Sequence, residues 1–591
     1  MNTPLYRAMA CRVHPVDGNL AVLTSDRWPS GRPVAALAAS ALTQCLAERT
    51  LEDHQRVVAA SLRQSDPEAE STIGTLVALG LLLPVEAPAI RMTEAIDAPA
   101  SIGAVGVVTA DRPATLRRCL TSYCDHLRHR RRFPRVIVVD GSRGRESQAE
   151  TERVVSELTS KELGITYVGS QFRRDIRARA VAHGLSESAV AWLLPDPGPQ
   201  HAAGGNRNLL LLLTAGMPLL TVDDDTVCRP WRTSEDTEGM AFSGHVEHRQ
   251  TRPFERREDV LESLRPVDVD LLAAHEALLG HSLADLADAS DRSRDLNDVC
   301  AHILPGVDGS RPEWRVRATW SGIAGDGAVA CPYPLLFSRG AARELLSASD
   351  GALRTALTSR EVIRGVPTNT VSDEPSFMTY CAAIDNAGLV PPFLPVGMNE
   401  DGLFGGMLRM CDTSAFIAQI PYGIVHDSGR PAAFPDRHMP SATSVRMSDV
   451  IAWLAEPGMR QDLRVDVSVR MRALGDILIA AGSLPSGLFR SLLADRLVEA
   501  KCRTLRAAEV ALGSGFDYPA HWRQSMRRYQ QAVLTSLTSE RLCVPVEYEH
   551  CSLDEALANV QRDLCGFGHA LQVWPELWML GTDESRSTDC R

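Results

Sequence analysis

The chain has 591 residues, of which 44% are hydrophobic and 23% charged, a balance that is ordinary for a soluble globular protein. This length exceeds what one hydrophobic core usually organises, so we expect two to four domains. A formal net charge of -12 argues against a general nucleic-acid binder. No apolar run approaches the roughly 20 residues that cross a bilayer, and the N-terminus lacks the apolar segment of a secretory signal.

The 14 cysteines are scattered along the chain without a C-x-x-C pair, so zinc ribbons and thioredoxin-like motifs are not indicated. Reduced thiols are the simplest interpretation, and they are typical of proteins in the cytoplasm. The sequence therefore predicts a cytoplasmic protein without a membrane span.

Residues 1–84 form the first predicted module. Two strands joined by the turn signal V-D-G-N precede three short helices and a further strand, an order typical of a winged helix. The predicted bounds are Tyr6–Val13, Leu20–Thr24, Val34–Ala47, Leu51–Arg63, Glu70–Leu79 and Leu81–Leu83.

With the segments RTLEDH and LVALGLLLP, this module resembles the PqqD-like peptide-binding module, the recognition element of many enzymes that modify ribosomally made peptides. In that family a leader peptide adds as a strand to the module's small sheet, a known mode of peptide capture. A structural or oligomerising role and DNA binding remain open alternatives.

An Ala- and Pro-rich linker, residues 85–101, precedes the main predicted domain, residues 102–440. Apolar strands at Ile102–Thr109, Arg135–Val139 and Ile165–Val168 alternate with turns and helices. This alternation predicts parallel strands joined by helical crossovers.

The stretch from Gly204 to Cys228 is the centre of this domain. A polar turn leads into an apolar helical run, a glycine breaks the run, and a buried strand over Met217–Val222 ends in three carboxylates, Asp223, Asp224 and Asp225. Ligands of open α/β sheets bind beyond the carboxyl ends of the strands, where acidic side chains hold a divalent cation that also binds substrate phosphates. A solvated turn or a helix N-cap is the alternative, because Asp is favoured at both.

A second acidic site follows at Asn399–Arg409, NEDGLFGGMLR, where Glu400 and Asp401 precede a glycine-punctuated amphipathic helix. His426 lies further along, after a short apolar stretch. A lone histidine is more often structural than a metal ligand, and both interpretations of His426 remain open.

Four motifs in this order, T-A-D-R, V-D-G-S, R-N with D-D-D, and N-E-D, resemble the GT-A glycosyltransferases, especially the family 2 type, in which the acidic triplet is called the DXD motif. The resemblance covers roughly residues 101–435. It implies an α/β fold with a Rossmann-like, mostly parallel sheet flanked by helices. It also implies transfer of a sugar from a nucleotide-diphosphate donor to a nucleophilic acceptor, with inversion at the anomeric carbon.

The resemblance implies a set of donor contacts. Thr109 and Asp111 match the first polar turn of the family, and Asp140 matches an aspartate that contacts the nucleotide base or ribose. An Asx turn is the alternative for Asp140. Arg207 matches an arginine near the donor diphosphate, since a planar guanidinium suits phosphate oxygens, and a salt bridge to the acidic triplet is equally open. Asp224 is included among the donor-binding residues.

The resemblance also implies a metal and a general base. Asp223, Asp225 and His426 are the expected ligands of Mg²⁺ or Mn²⁺, which neutralises charge on the leaving diphosphate. Asp401 is the expected general base that accepts the proton of the acceptor. Glu400 is the alternative base.

The remaining sequence is predicted to be largely helical. A polar segment at about residues 245–313 is longer than the usual connection in a compact domain, which predicts a helical insertion that shapes an acceptor site or an interface. Amphipathic stretches over residues 441–580 predict a helical accessory domain. Residues 581–591 are predicted to be a disordered tail.

The leading hypothesis is a metal-dependent, inverting glycosyltransferase of the hexosyltransferase type that uses a nucleotide-diphosphate sugar, with a UDP-sugar favoured. A ribosomally made precursor peptide recruited by the N-terminal module is one acceptor considered, and a cell-envelope saccharide or a small metabolite is the alternative. A further alternative is a non-catalytic winged-helix regulator that senses a nucleotide sugar. The partners considered are the nucleotide sugar, the peptide and a second copy of the chain in a homodimer, whereas nucleic acid is not expected.

Overall fold

The protein is an α/β structure with a large central sheet, a small N-terminal module and a helical C-terminal region. The computed structural model describes residues 4–9, 11–25, 28–45, 49–85, 101–198, 203–233, 239–243, 249–283, 285–286, 314–338, 340–372, 376–434, 443–461, 466–513, 516, 518–538 and 542–588. The predicted α/β class and the helical C-terminal region are therefore confirmed. Most of the predicted linker, residues 86–100, lies outside the described residues.

The N-terminal module has its own hydrophobic core. Its elements are β1 (Leu5–Ala8), β2 (Arg12–Pro15), β3 (Leu20–Ser25), β4 (Trp28–Ala35), α1 (Ala36–Leu42), α2 (Leu51–Leu62), α3 (Asp66–Ala78) and β5 (Leu82–Val85). Strands β2, β3 and β4 form an antiparallel sheet, and β1 pairs with β5.

Three sequence predictions for this module need correction. The first helix runs over Ala36–Leu42 rather than Val34–Ala47, because strand β4 continues to Ala35. The single strand expected over Tyr6–Val13 is two short strands in different sheets, because the Met9 amide donates to the carbonyl of Leu81 and the chain then passes to the second sheet. The third helix begins at Asp66 rather than Glu70. Ser65 and Glu68 form a capping box there, which satisfies the first amides of the helix.

The central sheet contains twelve strands among the described residues. They are β6 (Ala104–Thr109), β7 (Arg135–Asp140), β8 (Ile165–Val168), β9 (Leu219–Asp223), β10 (Thr226–Arg232), β11 (Met240–Ser243), β12 (Gln250–Pro253), β13 (Arg315–Asp326), β14 (Glu361–Gly365), β15 (Asn369–Ser372), β16 (Cys381–Ile384) and β17 (Ala415–His426). The main path is β11-β15-β17-β13-β16-β9-β6-β7-β8, while β10, β12 and β14 pair beside it.

The half of the sheet that positions the site is parallel. Strands β9, β6, β7 and β8 lie side by side in the same direction, and β16 is antiparallel to β9. Every residue of β6 is buried, as expected for an apolar strand covered on both faces. The register places Thr109 opposite Asp140 and Val108 opposite Asp223, so the polar ends of three strands meet at one edge.

Helices cover both faces of this sheet and form the C-terminal region. They are α4 (Pro113–His129), α5 (Arg145–Leu158), α6 (Ser170–Ala182), α7 (Glu187–Leu193), α8 (Gly204–Leu213), α9 (Arg257–Ser263), α10 (Leu271–Glu276), α11 (Gly340–Leu346), α12 (Asp350–Thr358), α13 (Glu400–Cys411), α14 (Met447–Gln461), α15 (Val467–Gly482), α16 (Ser486–Leu512), α17 (Ala520–Leu537) and α18 (Leu553–Thr588). Short 3-10 helices lie at Tyr333–Phe337 and Val546–Tyr548.

The segment predicted as a helical insertion also contributes to the sheet. Within it, α9 and α10 are helical, but β12 is a strand that pairs antiparallel with β14. Pairing with an existing strand satisfies the backbone groups of this polar stretch, whose sequence lacks helical periodicity. Residues 244–248 and 287–313 lie outside the described residues.

The C-terminal helices share the hydrophobic core of the central sheet. The indole N–H of Trp574 donates to the carbonyl of Val390 at 2.6 Å, and that of Trp578 donates to Asn386 Oδ1 at 2.9 Å. Helix α18 continues to Thr588, so residues 581–588 are helical rather than the predicted tail. Gly581 explains this, because it packs on the backbone of Leu212 and anchors the helix there.

Within the described residues, no single helix is long and apolar enough to cross a membrane. Only the bent pair α15 and α16, taken together, reaches that length and composition.

Candidate functional site

A cleft of about 460 Å³ opens at the sheet edge where β6, β7 and β9 end. The residues that line it come from these strand ends and the turns after them, from α6, from the segment after α7, from the N-terminus of α8 and from the start of α13. They are Val108, Thr109, Ala110, Asp111, Arg112, Gly141, Arg143, Arg173, Pro195, Asp196, Pro197, Gly198, Ala203, Gly205, Asn206, Arg207, Asp223 and Glu400. The edge is the position at which open α/β sheets bind their ligands.

The acidic triplet sits in the turn between β9 and β10, and its members face different partners. Asp224 is fully buried, accepts a hydrogen bond from Thr109 Oγ1 at 2.6 Å and forms an ion pair with Arg112 at 2.5 Å. Burial raises the pKa of Asp224 to about 7, although the positive charge of Arg112 opposes the shift. Asp224 therefore has a structural role: it holds Thr109 and Arg112 in place inside the site.

Asp225 lies between a histidine and an arginine. His426 Nε2 is 3.1 Å from Asp225 Oδ1, and Arg112 donates to Asp225 Oδ2 at 2.9 Å. Burial favours the neutral acid, but the hydrogen bond from His426 and the charges of His426 and Arg112 outweigh it and hold the pKa of Asp225 well below its usual range. Asp225 is thus a buried, ionised carboxylate.

Arg207 joins the two acidic motifs. Its side chain is buried, and it donates to Asp223 Oδ1 at 2.5 Å and to Glu400 Oε1 at 2.6 Å. Helix α8, strand β9 and helix α13 supply these three residues from distant parts of the chain. The sequence left open whether Arg207 contacts a phosphate or forms a salt bridge to the acidic triplet. In the structure it forms the salt bridge, to Asp223, and Glu400 is a second partner.

The two members of the acidic pair at the start of α13 differ in what they contact. Asn399 adopts a left-handed backbone conformation, with φ of 66°, which turns the chain into the helix. Glu400 lines the cleft, whereas Asp401 is not among the described residues that line it and accepts a hydrogen bond from the Gly402 amide at 2.8 Å. Burial raises the pKa of both carboxyl groups, that of Glu400 to about 7. A carboxyl group with this pKa exchanges protons near neutrality.

Two of the three predicted metal ligands meet. His426 Nδ1 is 2.7 Å from the carbonyl of Asp326, which orients Nε2 towards Asp225. Metal-binding histidines are commonly held in this way through their second nitrogen. Asp223 instead pairs with Arg207, and no group of three or more metal-binding side chains exists among the described residues. The arrangement fits Mg²⁺ or Mn²⁺ only with two protein ligands, since such ions complete their shell with substrate oxygens and water.

The predicted nucleotide contacts differ in accessibility. Asp140 is buried, and its carboxylate accepts hydrogen bonds from the Ser142 amide at 2.8 Å and the Tyr167 hydroxyl at 2.9 Å. The hydrogen bond from the Ser142 amide, two residues after Asp140, forms an Asx turn. This turn is the alternative to a nucleotide contact that the sequence left open for Asp140. Asp111 lines the cleft with φ of 57° and pairs with Arg143 at 3.2 Å.

Two arginines of the site carried no functional assignment in the sequence analysis. Arg112 follows Asp111 directly and could have been found from its place in the T-A-D-R motif. Arg173 lies in the basic run of α6, which has the appearance of a solvated helix, yet its side chain is buried in the cleft wall. Nothing in the local sequence distinguishes Arg173 from its exposed neighbours.

Comparisons with known proteins add little. No family model and no curated protein matches the sequence. Among solved structures, the chain is similar to the mannosyltransferase PcManGT from Pyrobaculum calidifontis in complex with GDP-Man and Mn²⁺, with 13% sequence identity and a TM-score of 0.26, over 76% of this chain and 92% of that chain.

Proposed function

We propose that this protein is a glycosyltransferase that moves a sugar from a nucleotide-diphosphate donor to a nucleophilic acceptor, with inversion. The observation that carries the proposal is the buried bridge from Asp223 through Arg207 to Glu400 in the wall of the cleft. This bridge joins a strand-end aspartate, in the position of the DXD motif, to the acidic pair in the position of the family's general base.

Glu400 is the proposed general base. It lines the cleft and its pKa lies near 7, so it is partly ionised at neutral pH and can accept a proton from an acceptor hydroxyl. Asp401, the residue first expected in this role, has its carboxylate turned to the start of its own helix. We assign Asp401 to the support of the helix start.

Arg207 is the proposed positioning residue. Its positive charge opposes the rise in the pKa of Glu400 that burial causes, and its two hydrogen bonds fix the carboxylates of Glu400 and Asp223 at one wall of the cleft. Fixed charges of this kind stabilise charge that develops during reaction without reorganisation.

Asp225 and His426 would hold a divalent cation, and that cation would supply positive charge to the leaving diphosphate. Asp225 Oδ1 and His426 Nε2 face each other at 3.1 Å. Arg112 already pairs with Asp225 from the side of the cleft.

We propose a peptide as the acceptor and the N-terminal module as its recruiter. The three-stranded sheet of the module has β2 and β4 at its edges, and an extended peptide can add to such an edge. A saccharide or a small metabolite is the alternative acceptor. The nucleotide of the donor and the metal are to be found by experiment.

The test is release of nucleotide from UDP-, GDP- and dTDP-sugars with and without Mn²⁺, using wild type, Glu400→Gln and, as a matched carboxylate control, Asp401→Asn. We expect one donor to be hydrolysed slowly and Glu400→Gln to lower the rate more than Asp401→Asn does. A larger loss in Asp401→Asn would overturn the assignment of the base. Absence of turnover with every donor would overturn the enzyme proposal. Nucleotide-sugar binding without turnover would favour the regulator.

A further inference from the structure

The N-terminus of α8 lies at the cleft. This helix has 10 residues, its first turn carries no acidic side chain, and no side chain of the described residues caps it. Residues 199–202, which precede this helix start, lie outside the described part of the chain. The amides of Gly204, Gly205 and Asn206 have no hydrogen-bond acceptor among the described residues. Unpaired amides at a helix start carry a partial positive charge and favour an anion.

The glycines at this helix start allow a close approach of backbone to backbone. A Cβ on Gly204 would collide with the carbonyl of Leu394, and one on Gly205 would lie 3.0 Å from Pro195 Cδ. Ala203, Gly205 and Asn206 all line the cleft. The helix start is therefore held against the cleft wall, with its amide end at the cavity.

Arg173 supplies a second, independent observation at the same place. Its side chain is 1% exposed and lines the cleft, and its guanidinium donates to the neutral side chain of Asn206 at 2.5 Å. Its Nε has no hydrogen-bond partner, and no carboxylate of the described residues lies within ion-pair distance. Two carboxylates outside ion-pair distance, Asp196 and Asp140, still act on its charge and oppose the fall in its pKa. Asp196 is 3.0 Å from Arg177 and pairs with it.

The other three arginines that line the cleft are all paired with carboxylates. Arg112 pairs with the acidic triplet, Arg143 with Asp111, and Arg207 with Asp223 and Glu400. Arg173 is thus the buried cation of the cleft without a counter-ion among the described residues, and burial accordingly lowers its pKa to about 10. An uncompensated buried charge is strongly destabilising unless a partner arrives.

We propose that Arg173 and the N-terminus of α8 together form an oxyanion site that binds a phosphate group of the donor. The guanidinium supplies charge-assisted hydrogen bonds, and the helix start supplies backbone amides and the positive end of its dipole. This inference rests on the proposed function, and it assigns phosphate binding to Arg173 in place of Arg207, whose two terminal nitrogens each donate to a carboxylate.

The test is binding of inorganic pyrophosphate, UDP and GDP to the full chain by calorimetry, with wild type, Arg173→Met and Arg174→Met. Arg174 is the matched control, because it is the next residue of α6, is exposed and donates to Gln171. We expect Arg173→Met to weaken pyrophosphate binding by about tenfold or more, the loss of one charged hydrogen-bonding partner, while Arg174→Met binds like wild type.

A second variant guards against misfolding of the first. Asn206→Asp places a carboxylate on Arg173 with almost no change in shape, although it loses the hydrogen bond from Asn206 Nδ2 to the carbonyl of Thr109. We expect a folded protein with weaker pyrophosphate binding. A merely structural Arg173 would give the reverse in Arg173→Met, a lower unfolding temperature with unchanged binding, and that result would overturn the inference.

Uncharged nucleosides separate the phosphate from the base. Uridine and guanosine should bind Arg173→Met and wild type alike, whereas a loss confined to the nucleosides would assign Arg173 to the base and overturn the inference. Pyrophosphate binding that depends on Arg173 in a protein that hydrolyses no donor would leave this site standing and defeat the proposed function instead. If a donor is hydrolysed and Arg173→Met leaves pyrophosphate binding unchanged, the proposed function stands and the oxyanion site is overturned.

Discussion

Arg207 and Arg173 are both buried arginines in the wall of one cleft, and they differ in what balances their charge. Arg207 lies between two carboxylates, each within 2.6 Å of the guanidinium. Arg173 has the side-chain oxygen of Asn206 as its hydrogen-bond partner. A balanced arginine holds its neighbours in place before any ligand arrives, whereas an unbalanced one keeps free binding capacity for the ligand.

The difference divides the cleft into two working ends. At one end Arg207 fixes Glu400 and Asp223, which we assign to proton transfer and donor positioning. At the other end Arg173 and the start of α8 form the oxyanion site. Asn206 and Arg207 are consecutive residues, so one turn of α8 connects the two ends.

Substitution of Arg207 should show the difference between the two arginines most clearly. Arg207→Met leaves Asp223 and Glu400 without their cation, and we expect unfolding free energy to fall by about 3 to 5 kcal/mol, as for other broken buried pairs. Arg173→Met leaves no carboxylate without its partner, so its unfolding free energy should not fall by this amount. Denaturant unfolding of both variants measures the contrast, and equal losses would show that the two arginines are balanced alike.

Glu400→Gln should give the next largest effect, a rate of nucleotide release lowered by about 10² to 10⁴ if Glu400 is the general base. The base must be ionised, so wild-type activity should fall as the pH drops below about 7, the pKa to which burial raises Glu400. The variant should lose this limb of the pH profile. If the fall in activity at low pH persists unchanged in Glu400→Gln, another group is the one that must be ionised.

His426→Gln tests the metal at the far side of the acidic triplet. If Asp225 and His426 hold the cation, removal of one of them should weaken Mn²⁺ binding by at least about tenfold, since even second-shell changes weaken metal sites by about 10- to 100-fold. Calorimetry with Mn²⁺ in the presence of UDP or GDP measures this. His275→Gln, at a buried histidine bonded to Thr319, is the control that should leave Mn²⁺ binding unchanged.

Thr109→Val should have the smallest effect. It removes the hydroxyl that donates to Asp224 at 2.6 Å while keeping the shape of the side chain. We expect a loss of about 1 to 2 kcal/mol in unfolding free energy, the cost of a buried acceptor without its donor. Thermal unfolding measures it, and no change would show that Arg112 alone stabilises Asp224.

The strands that form the site were predictable because each is a short apolar run that ends at polar turn residues. The sequence placed a strand end at Thr109, at Asp140 and before Asp223, and the structure brings these ends to one edge. It could not decide between a phosphate and a salt bridge for Arg207, because that choice depends on Glu400, far along the chain. Local patterns carry no information about such distant partners.

Arg173 shows the same limit more strongly. The residues around it, QFRRDIRAR, read as a charged surface helix, and Arg174 and Arg179 are not distinguishable from Arg173 by type or spacing. Only the packing of α6 against the start of α8 buries one of them. The start of α8 was equally difficult to predict, because Gly204 and Gly205 predict a turn as readily as a helix start.

The contact between α18 and α8 ties the cleft to the opposite end of the chain. Gly581 lies against Leu212 on the helix whose first turn forms the oxyanion site. In folding terms this is a contact of very large sequence separation, of the kind that closes slowly and late. The sheet that forms the cleft is therefore not a detachable unit, and we expect a chain ending at residue 440 to lose cooperative thermal unfolding together with pyrophosphate binding.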